Sequence, residues 1–377
     1  MAIEIREILP QKGKDLRTFI YLPEKIHAGH QNWVHPLTMD DWKYFDSKKN
    51  KAFAYCDTIL LLACKDGRPV GRAMGIINHR YNEHRNEKTA RFGYLETYED
   101  REVFRAILRH IEAWARAKGM TKIVGPYGFS DQDPEGYLIE GFDHRATIAT
   151  YYNFEWMPRW LEEEGYTKDN DWFVYKLAVP KEMPEFYQRI YERAMKRGTY
   201  EIIEFKTRKE IKPWIRPVLG LMNETYMTGN IYGFAPLEEQ EMDDLAKRYL
   251  PIIDPRFVKV VAKDGQILSF IIAMPDMSEG IRKARGRLFP FGFIHVLRSA
   301  KKTKQLDLML GAVKEPYRGQ GLDVLMGVKV LQAASAAGME MIDTHHEMEA
   351  NVKVRAEMER MGGTIYKKFR AFQKPLV

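Results

Sequence analysis

The stretch Arg318-Gly319-Gln320-Gly321 follows the apolar run Leu306–Val313 and opens the apolar segment Leu322–Ala337. That spacing predicts a strand, a tight turn and a helix. In such a turn the backbone N–H groups point outward without partners, at the positive end of the helix dipole, an arrangement that suits a pyrophosphate. Glycine serves where a side chain would block the approach of the backbone, and Arg318 adds a cation.

Working outward, the same plan occurs twice. In the first half, Thr58–Cys64, the turn Lys65-Asp66-Gly67 and Val70–Ile77 predict a hairpin. In the second, Phe257–Ala262, Lys263-Asp264-Gly265 and Ile267–Met274 predict another. After each hairpin come a strand (Ala90–Glu96; Leu306–Val313), a helix (Glu102–Lys118; Leu322–Ala337), a Gly-Met pair and a short strand (Lys122–Val124; Glu340–Asp343). Each half then runs through Asn153 or Asn351 into a helix, a glycine and an aromatic-rich strand. The division is 1–178, a link with its own helix at 179–200, and 201–377. The first half reaches its helix through Thr97-Tyr98-Glu99-Asp100-Arg101, which has no glycine and two acids, so it predicts a degenerate copy unsuited to phosphate.

The order hairpin, strand, helix, strand, helix, strand resembles the GNAT N-acyltransferase fold, an α/β (α+β) architecture, here in tandem. Arg318 and Gly321 match the first and fourth positions of its CoA-binding signature, Arg/Gln-X-X-Gly-X-Gly/Ala. The sixth position is Asp323, a departure from the family's Gly or Ala. Further along, Gly125-Pro126, Phe129-Ser130, Glu135-Gly136, Glu140-Gly141-Phe142-Asp143, Glu349-Ala350-Asn351 and Tyr366-Lys367-Lys368-Phe369-Arg370 occur in order. This pattern resembles the bacterial branch of GNAT-like proteins that includes ceramide synthases, which N-acylate a sphingoid-type amine with fatty acyl-CoA. The resemblance implies acyl-CoA or acetyl-CoA as co-substrate, while the adjacency of His345, His346 and Glu347 and the lack of HExxH spacing predict no metal. It puts Val313, Arg318, Gly319, Gln320, Gly321, Leu322 and Asn351 at the CoA. It also puts Asn223, Tyr226 and Tyr232, in Met222–Tyr226 and Ile231–Leu237, over the acceptor.

N-acylation needs an amine that loses its proton, so a proton acceptor belongs beside the strand gap. Thr344-His345-His346-Glu347-Met348-Glu349 follows the fifth strand of the second half and suits proton relay. The resemblance selects Glu349, at the acidic position of Glu-X-Asn, ahead of His345 and His346. The position where many GNAT enzymes carry a thiolate-protonating Tyr is Met358, leaving Tyr366 and Tyr317 as candidates. Asp307 faces either the gap or solvent. The link Arg287–Ile294 carries Phe289, Phe291 and Phe293 between cationic flanks and suits an acyl chain or an anionic membrane surface.

Bulk composition agrees with this reading. The 377 residues favour two domains or more, and 45% apolar with 29% charged residues is globular. The net charge of +7 favours acidic partners; the CoA-type turn argues against nucleic acid or aminoacyl-tRNA as the one used. Two cysteines, Cys56 and Cys64, beside one strand predict reduced thiols and a cytoplasmic setting, with contact at the inner face of the membrane. The start Met1–Arg6 lacks a secretory pattern, and no run reaches the length of a membrane span. The rivals to transfer onto a long-chain amine are an acetyltransferase for a small amine and a GNAT-fold ligand-binding protein without catalysis.

Overall fold

The structure is a computed structural model and describes residues 2–197, 200–228, 231 and 233–376, with nothing of the Arg197 side chain; Tyr232 lies outside them. The strands of the first half are β1 (Ile3–Ile8), β2 (Cys56–Lys65), β3 (Arg68–Asn78), β4 (Thr89–Thr97), β5 (Lys122–Gly125), β6 (Tyr137–Glu140) and β7 (Thr167–Ala178). Those of the second are β8 (Glu201–Glu204), β9 (Val258–Lys263), β10 (Gln266–Pro275), β11 (Gln305–Val313), β12 (Met341–Asp343), β13 (Glu347–Met348) and β14 (Thr364–Pro375). Both Asp-Gly pairs form two-residue hairpins. Asp66 and Gly67 have φ of 50° and 74°, and Asp264 and Gly265 have 50° and 78°. Left-handed conformation at both central positions gives a turn whose twist matches its strands.

All strands join one sheet, in the order β1-β2-β3-β4-β5-β14-β7-β12-β11-β10-β9-β8, with β6 on β14 and β13 on β7. The order is symmetric about its centre, and each half gives its last strand to the other. β14, from the second half, pairs with β5 from Phe372↔Gly125 to Pro375↔Lys122. β7, from the first, pairs with β12 from Met341↔Ala178 to Asp343↔Lys176. The two exchanged strands pair with each other, and Trp172, Val174, Phe369 and Ala371 bury a common cluster where they meet. At about 1.5–3 kcal/mol for each large apolar side chain removed from water, this seam ties the halves into one body.

Helices cover both faces. Arg101–Ala117 packs Phe104, Ile107, Leu108 and Ile111 on the first half-sheet. Leu322–Ala336 is apolar on nearly every side because it lies between the second half-sheet and the connecting helix Glu185–Arg197, which supplies Ala194 and Tyr191. On the opposite face, Ile215–Thr228 packs Val218, Leu219 and Met222 against Val260 and Phe270.

The sheet opens in each half. β11 pairs with β12 only where Gln305–Asp307 meets Met341–Asp343, so from Leu308 onward it has no strand on that side. Its pairing with β10 passes from Ile272↔Leu310 to Ala273↔Leu308, leaving Met309 as a bulge that bends the strand beside the gap. β4 likewise pairs with β5 only at Thr89–Arg91 with Lys122–Val124.

Candidate functional site

One cavity of about 1220 Å³ fills the gap of the second half. Its wall along β11 includes Leu308, Met309 and Gly311–Val313. One end reaches Arg318, Gly319 and Asp323, and the middle meets Thr344–Met348 and Asn351. Apolar side chains such as Phe270, Met274, Leu219 and Val330 supply most of the rest.

At the turn, Gly319 and Gly321 have φ of 75° and 88°, a region where a side chain is strained. The N–H groups of Gly319, Gly321 and Leu322 bond no acceptor among the described residues, and the helix has no side-chain cap. A Cβ on Gly319 would meet nothing within 4 Å, so the cradle is open. The Arg318 guanidinium donates through Nε to the carbonyl of Val313, 3.2 Å away, at the mouth of the strand gap. Three free amides, a helix N-terminus and a guanidinium can hold a diphosphate.

Not every expected residue contributes there. Leu322 is fully buried in the core, so only its backbone is available. Gln320 turns the other way: its amide donates to the Pro316 carbonyl at 2.9 Å and accepts from Tyr200 at 3.0 Å. A Cβ on Gly321 would meet Ala194 at 3.4 Å, an ordinary contact, so glycine is favoured there by its φ of 88° and not by lack of room. The Asp323 carboxylate accepts from its neighbour's N–H, Val324, at 3.0 Å, and remains exposed.

At the centre of the cavity, burial controls the chemistry. His345 and His346 both line it, with ring centroids 5.7 Å apart, and burial holds both imidazoles below their ordinary range, His346 strongly so. The imidazole of His346 packs on Phe369, and its Nε2 has no hydrogen-bond partner among the described residues. Burial pushes the Glu347 carboxyl up to about 8, which puts its proton exchange within working range. Glu349, the expected proton acceptor, stands elsewhere. β13 ends at Met348, and the next carboxylate leaves the cavity to accept from Lys168 Nζ at 2.6 Å and the Asp171 N–H at 3.3 Å. Glu347, two residues earlier, lines the cavity instead.

Other expectations are also corrected. Both ends of the Asn223 amide engage Leu237, at 2.8 and 3.0 Å, and Asn223 is not part of the cavity wall. Tyr226 does line the cavity, edge-on to Phe234, with burial raising its phenol above the ordinary value. Phe289 and Phe291 are 68% and 70% exposed and outside the cavity, so they cannot bind anything within it. Asp307 is fully buried beside Asp343, its register partner, and both burial and that neighbour raise its carboxyl strongly. Tyr366 gives its hydroxyl to Asp343 and is thereby occupied.

Sequence reading missed the far wall, where Asp131, Gln132, Glu135 and Trp172 of the first half line the same cavity. Only the run Glu135-Gly136, noted as part of a pattern, pointed there.

Comparison with known proteins follows this geometry. No family model matches the sequence. The chain is 29% identical over 377 residues to the bacterial ceramide synthase of Caulobacter vibrioides (strain NA1000 / CB15N), covering 98% of this chain and 97% of that one. It is 24% identical over 375 residues to protein YghO of Escherichia coli (strain K12), covering 96% and 93%. Among solved structures, a tandem GNAT protein from the clavulanic acid biosynthesis pathway, without acetyl-CoA, superposes with a TM-score of 0.56 at 11% identity, covering 100% of this chain and 99% of that one. The class is therefore a tandem GNAT-fold protein. Its full-length relative in Caulobacter vibrioides bears the name of a ceramide synthase.

Proposed function

We propose that the chain is an acyl-CoA-dependent N-acyltransferase acting on a long-chain amine, a sphingoid-type amino alcohol being the acceptor its ceramide synthase relative suggests. The observation that carries this reading is the continuity of the cavity, from the open turn at Gly319 to His346 and Glu347. The second half, 201–377, holds the donor, and the first, 1–178, is a degenerate copy joined through 179–200. CoA lies with its diphosphate on Arg318 and the free amides and its arm along β11, near Val313 and Asn351. The amine nitrogen attacks the thioester carbonyl carbon and its proton passes to Glu347. The C–S bond then breaks, the thiolate leaves and takes up the proton that Glu347 received to become the free thiol, and an amide remains. The neutral imidazoles of His345 and His346 can accept hydrogen bonds without adding a positive charge that would repel the amine.

Lipid delivery fits the surface. Phe289, Phe291, Phe293 and Leu297 are all exposed large hydrophobics on one loop and the helix Gly292–Lys302 that follows. Arg298, Lys301 and Lys302 beside them are exposed and make no ion pair among the described residues. Val296, on the inner side of this helix, packs into the cluster whose members Phe270 and Met274 wall the cavity. An apolar tip with free cations suits an anionic bilayer, and each buried methylene contributes roughly 0.8 kcal/mol.

The test is a transfer assay on anionic vesicles with acetyl-CoA and palmitoyl-CoA as donors and a long-chain amine as acceptor. The expected result is N-acylation with the long donor favoured, reduced by salt and by Phe289, Phe291 and Phe293→Ser together. A preference for acetyl-CoA, insensitive to vesicles, would return the small-amine reading.

A further inference from the structure

The first half brings a set of unspent polar groups to the cavity's far wall. The loop between β5 and β6 is organised by Asp133, whose carboxylate accepts from the Phe129 N–H at 2.7 Å, the Ser130 N–H at 3.3 Å and the Tyr44 hydroxyl at 2.7 Å. That leaves its neighbours pointing inward. Asp131 Oδ1, Gln132 Nε2 and Glu135 Oε1 are each buried and bond nothing among the described residues, and all three residues line the cavity. Glu135 is 94% buried by its 6% exposure. Arg91 acts on Asp131 and Glu135 through its charge but gives neither a hydrogen bond. Arg91 gives its guanidinium to the carbonyls of Gly128, Phe129 and Gly233 and lies over the rings of Tyr81 and Tyr127.

An unpaired buried carboxyl costs free energy, and three unpaired groups on one wall cost more than a fold keeps without use. Their chemistry specifies the visitor. Burial raises both carboxyls, that of Asp131 to about 7, so they hold protons before a cation arrives, and a cation seated there would draw those protons off; an amide offers both donors and an acceptor. Trp172 lines the same cavity, its ring 5.8 Å from Tyr127 and 5.9 Å from His346. Asp131, Glu135 and Glu347 all line this one cavity.

We propose that Asp131, Gln132 and Glu135 seat the polar head of the acceptor, an ammonium with neighbouring hydroxyls, while its apolar chain lies along the rest of the cavity. The first half is then the specificity element of the site and not only a scaffold. The proposal rests on the acyltransferase reading for the fate of the amine, but the seat itself is a binding site and can be tested without a donor.

The experiment is calorimetric titration of the full chain, without CoA, with octylamine, 2-amino-1-octanol and octanol, which share a chain and differ in the head. The wild type is expected to bind both amines at least 10-fold more tightly than octanol. In Asp131→Asn with Glu135→Gln the preference should fall to about 1 while octanol binding stays unchanged. Each substitution is isosteric; should the pair not fold, the single variants are expected to lose the preference in part. A wild type that binds octanol as well as the amines, or variants that keep the preference, would overturn the seat. Amine binding through these acids with no acyl transfer from any CoA donor would leave the seat standing and remove the acyltransferase reading. Amide formation at wild-type rate and KM in the double variant would do the reverse.

Discussion

The two halves open their sheets at the same place and do opposite things with the opening. In the first, the chain fills it. The Tyr94 N–H on β4 donates to the Tyr151 hydroxyl at 3.0 Å, and the Tyr137 hydroxyl donates to the Leu95 carbonyl at 2.8 Å. The Tyr127 N–H bonds the Phe92 carbonyl at 2.8 Å, and a Cβ on Gly93 would lie 2.1 Å from the Tyr127 carbonyl. The helix that follows is closed by its own sequence: Asp100 accepts from the N–H groups of Glu102 and Val103 at 3.2 and 3.3 Å and pairs with Lys65 at 2.6 Å. In the second half the strand edge from Leu308 faces a cavity, and the helix N-terminus has glycine where the first has a cap. An exposed strand edge and an uncapped helix both leave polar groups unmet, which a structure tolerates where a ligand meets them. The same fold thus yields a sealed copy and an open one by the choice of a few side chains.

The largest break in this comparison should come from filling the open cradle. Gly319→Glu places a carboxylate where a diphosphate would lie. CoA binding is expected to weaken more than about 100-fold by calorimetry, since a negative charge and its side chain are set against the diphosphate. Glu99→Ala, in the matching link of the first half, should leave CoA affinity unchanged. Equal dependence on the two positions would erase the distinction between the halves.

Much of this contrast was legible in the sequence. The paired Asp-Gly turns, the strand-turn-helix at Arg318 and the acid link at Glu99 are local features, and local features fix hairpins, caps and phosphate turns. The strand exchange was not legible. β7 and β14 carry the same alternation whichever half-sheet receives them, so period gives a strand and its face but not its neighbour. Glu347 and Glu349 could not be told apart for a related reason. They are two residues apart around a strand that is only two residues long, and Lys168, distant in sequence, draws Glu349 away. The amide of Asn223 among aromatics read as a ligand contact, yet it clamps its own loop. The acids of the far wall emerge only when the halves meet.

The proton transfer proposed for Glu347 sharpens the comparison next. Glu347→Gln is expected to lower kcat by about 10²-fold, the usual scale for losing a general base, with Glu349→Gln near wild type. The wild type should gain kcat/KM as pH rises through about 8, where Glu347 loses its proton. The amine's own ionisation contributes a rise in both proteins, so the difference between their profiles is the readout. Stability moves the other way. The folded value is raised above the ordinary 4.5, so the native state holds the proton more tightly, and this contribution is complete below about 4.5 and lost as pH climbs through about 8. Glu347→Gln should therefore raise Tm relative to wild type at pH 9 and not at pH 5.

The smallest expected effect is the most specific, since it sets two aspartates at matching helix starts against each other. Asp100 is the N-cap of Arg101–Ala117, and hydrogen bonding from Lys65 draws its carboxyl below the ordinary range. Asp100→Ala leaves two helix amides without their acceptor and should cost about 1 kcal/mol of stability, with CoA affinity unaltered. Asp323 sits in the first turn of Leu322–Ala336 but caps nothing beyond its neighbour's N–H, and its carboxylate borders the cradle. A carboxylate there helps the helix dipole a little and opposes a bound anion by a similar amount, about 0.3–1 kcal/mol. Asp323→Ala should accordingly lose a few tenths of a kcal/mol in stability. CoA binding should tighten by roughly 2–5-fold, the same energy read as affinity. The opposite signs are the measurement: one aspartate serves its helix in place of a ligand, the other stands where a ligand is served. Were Asp323→Ala to weaken CoA binding, its carboxylate would be part of the cradle, and the helix start of the second half would need a cationic partner there.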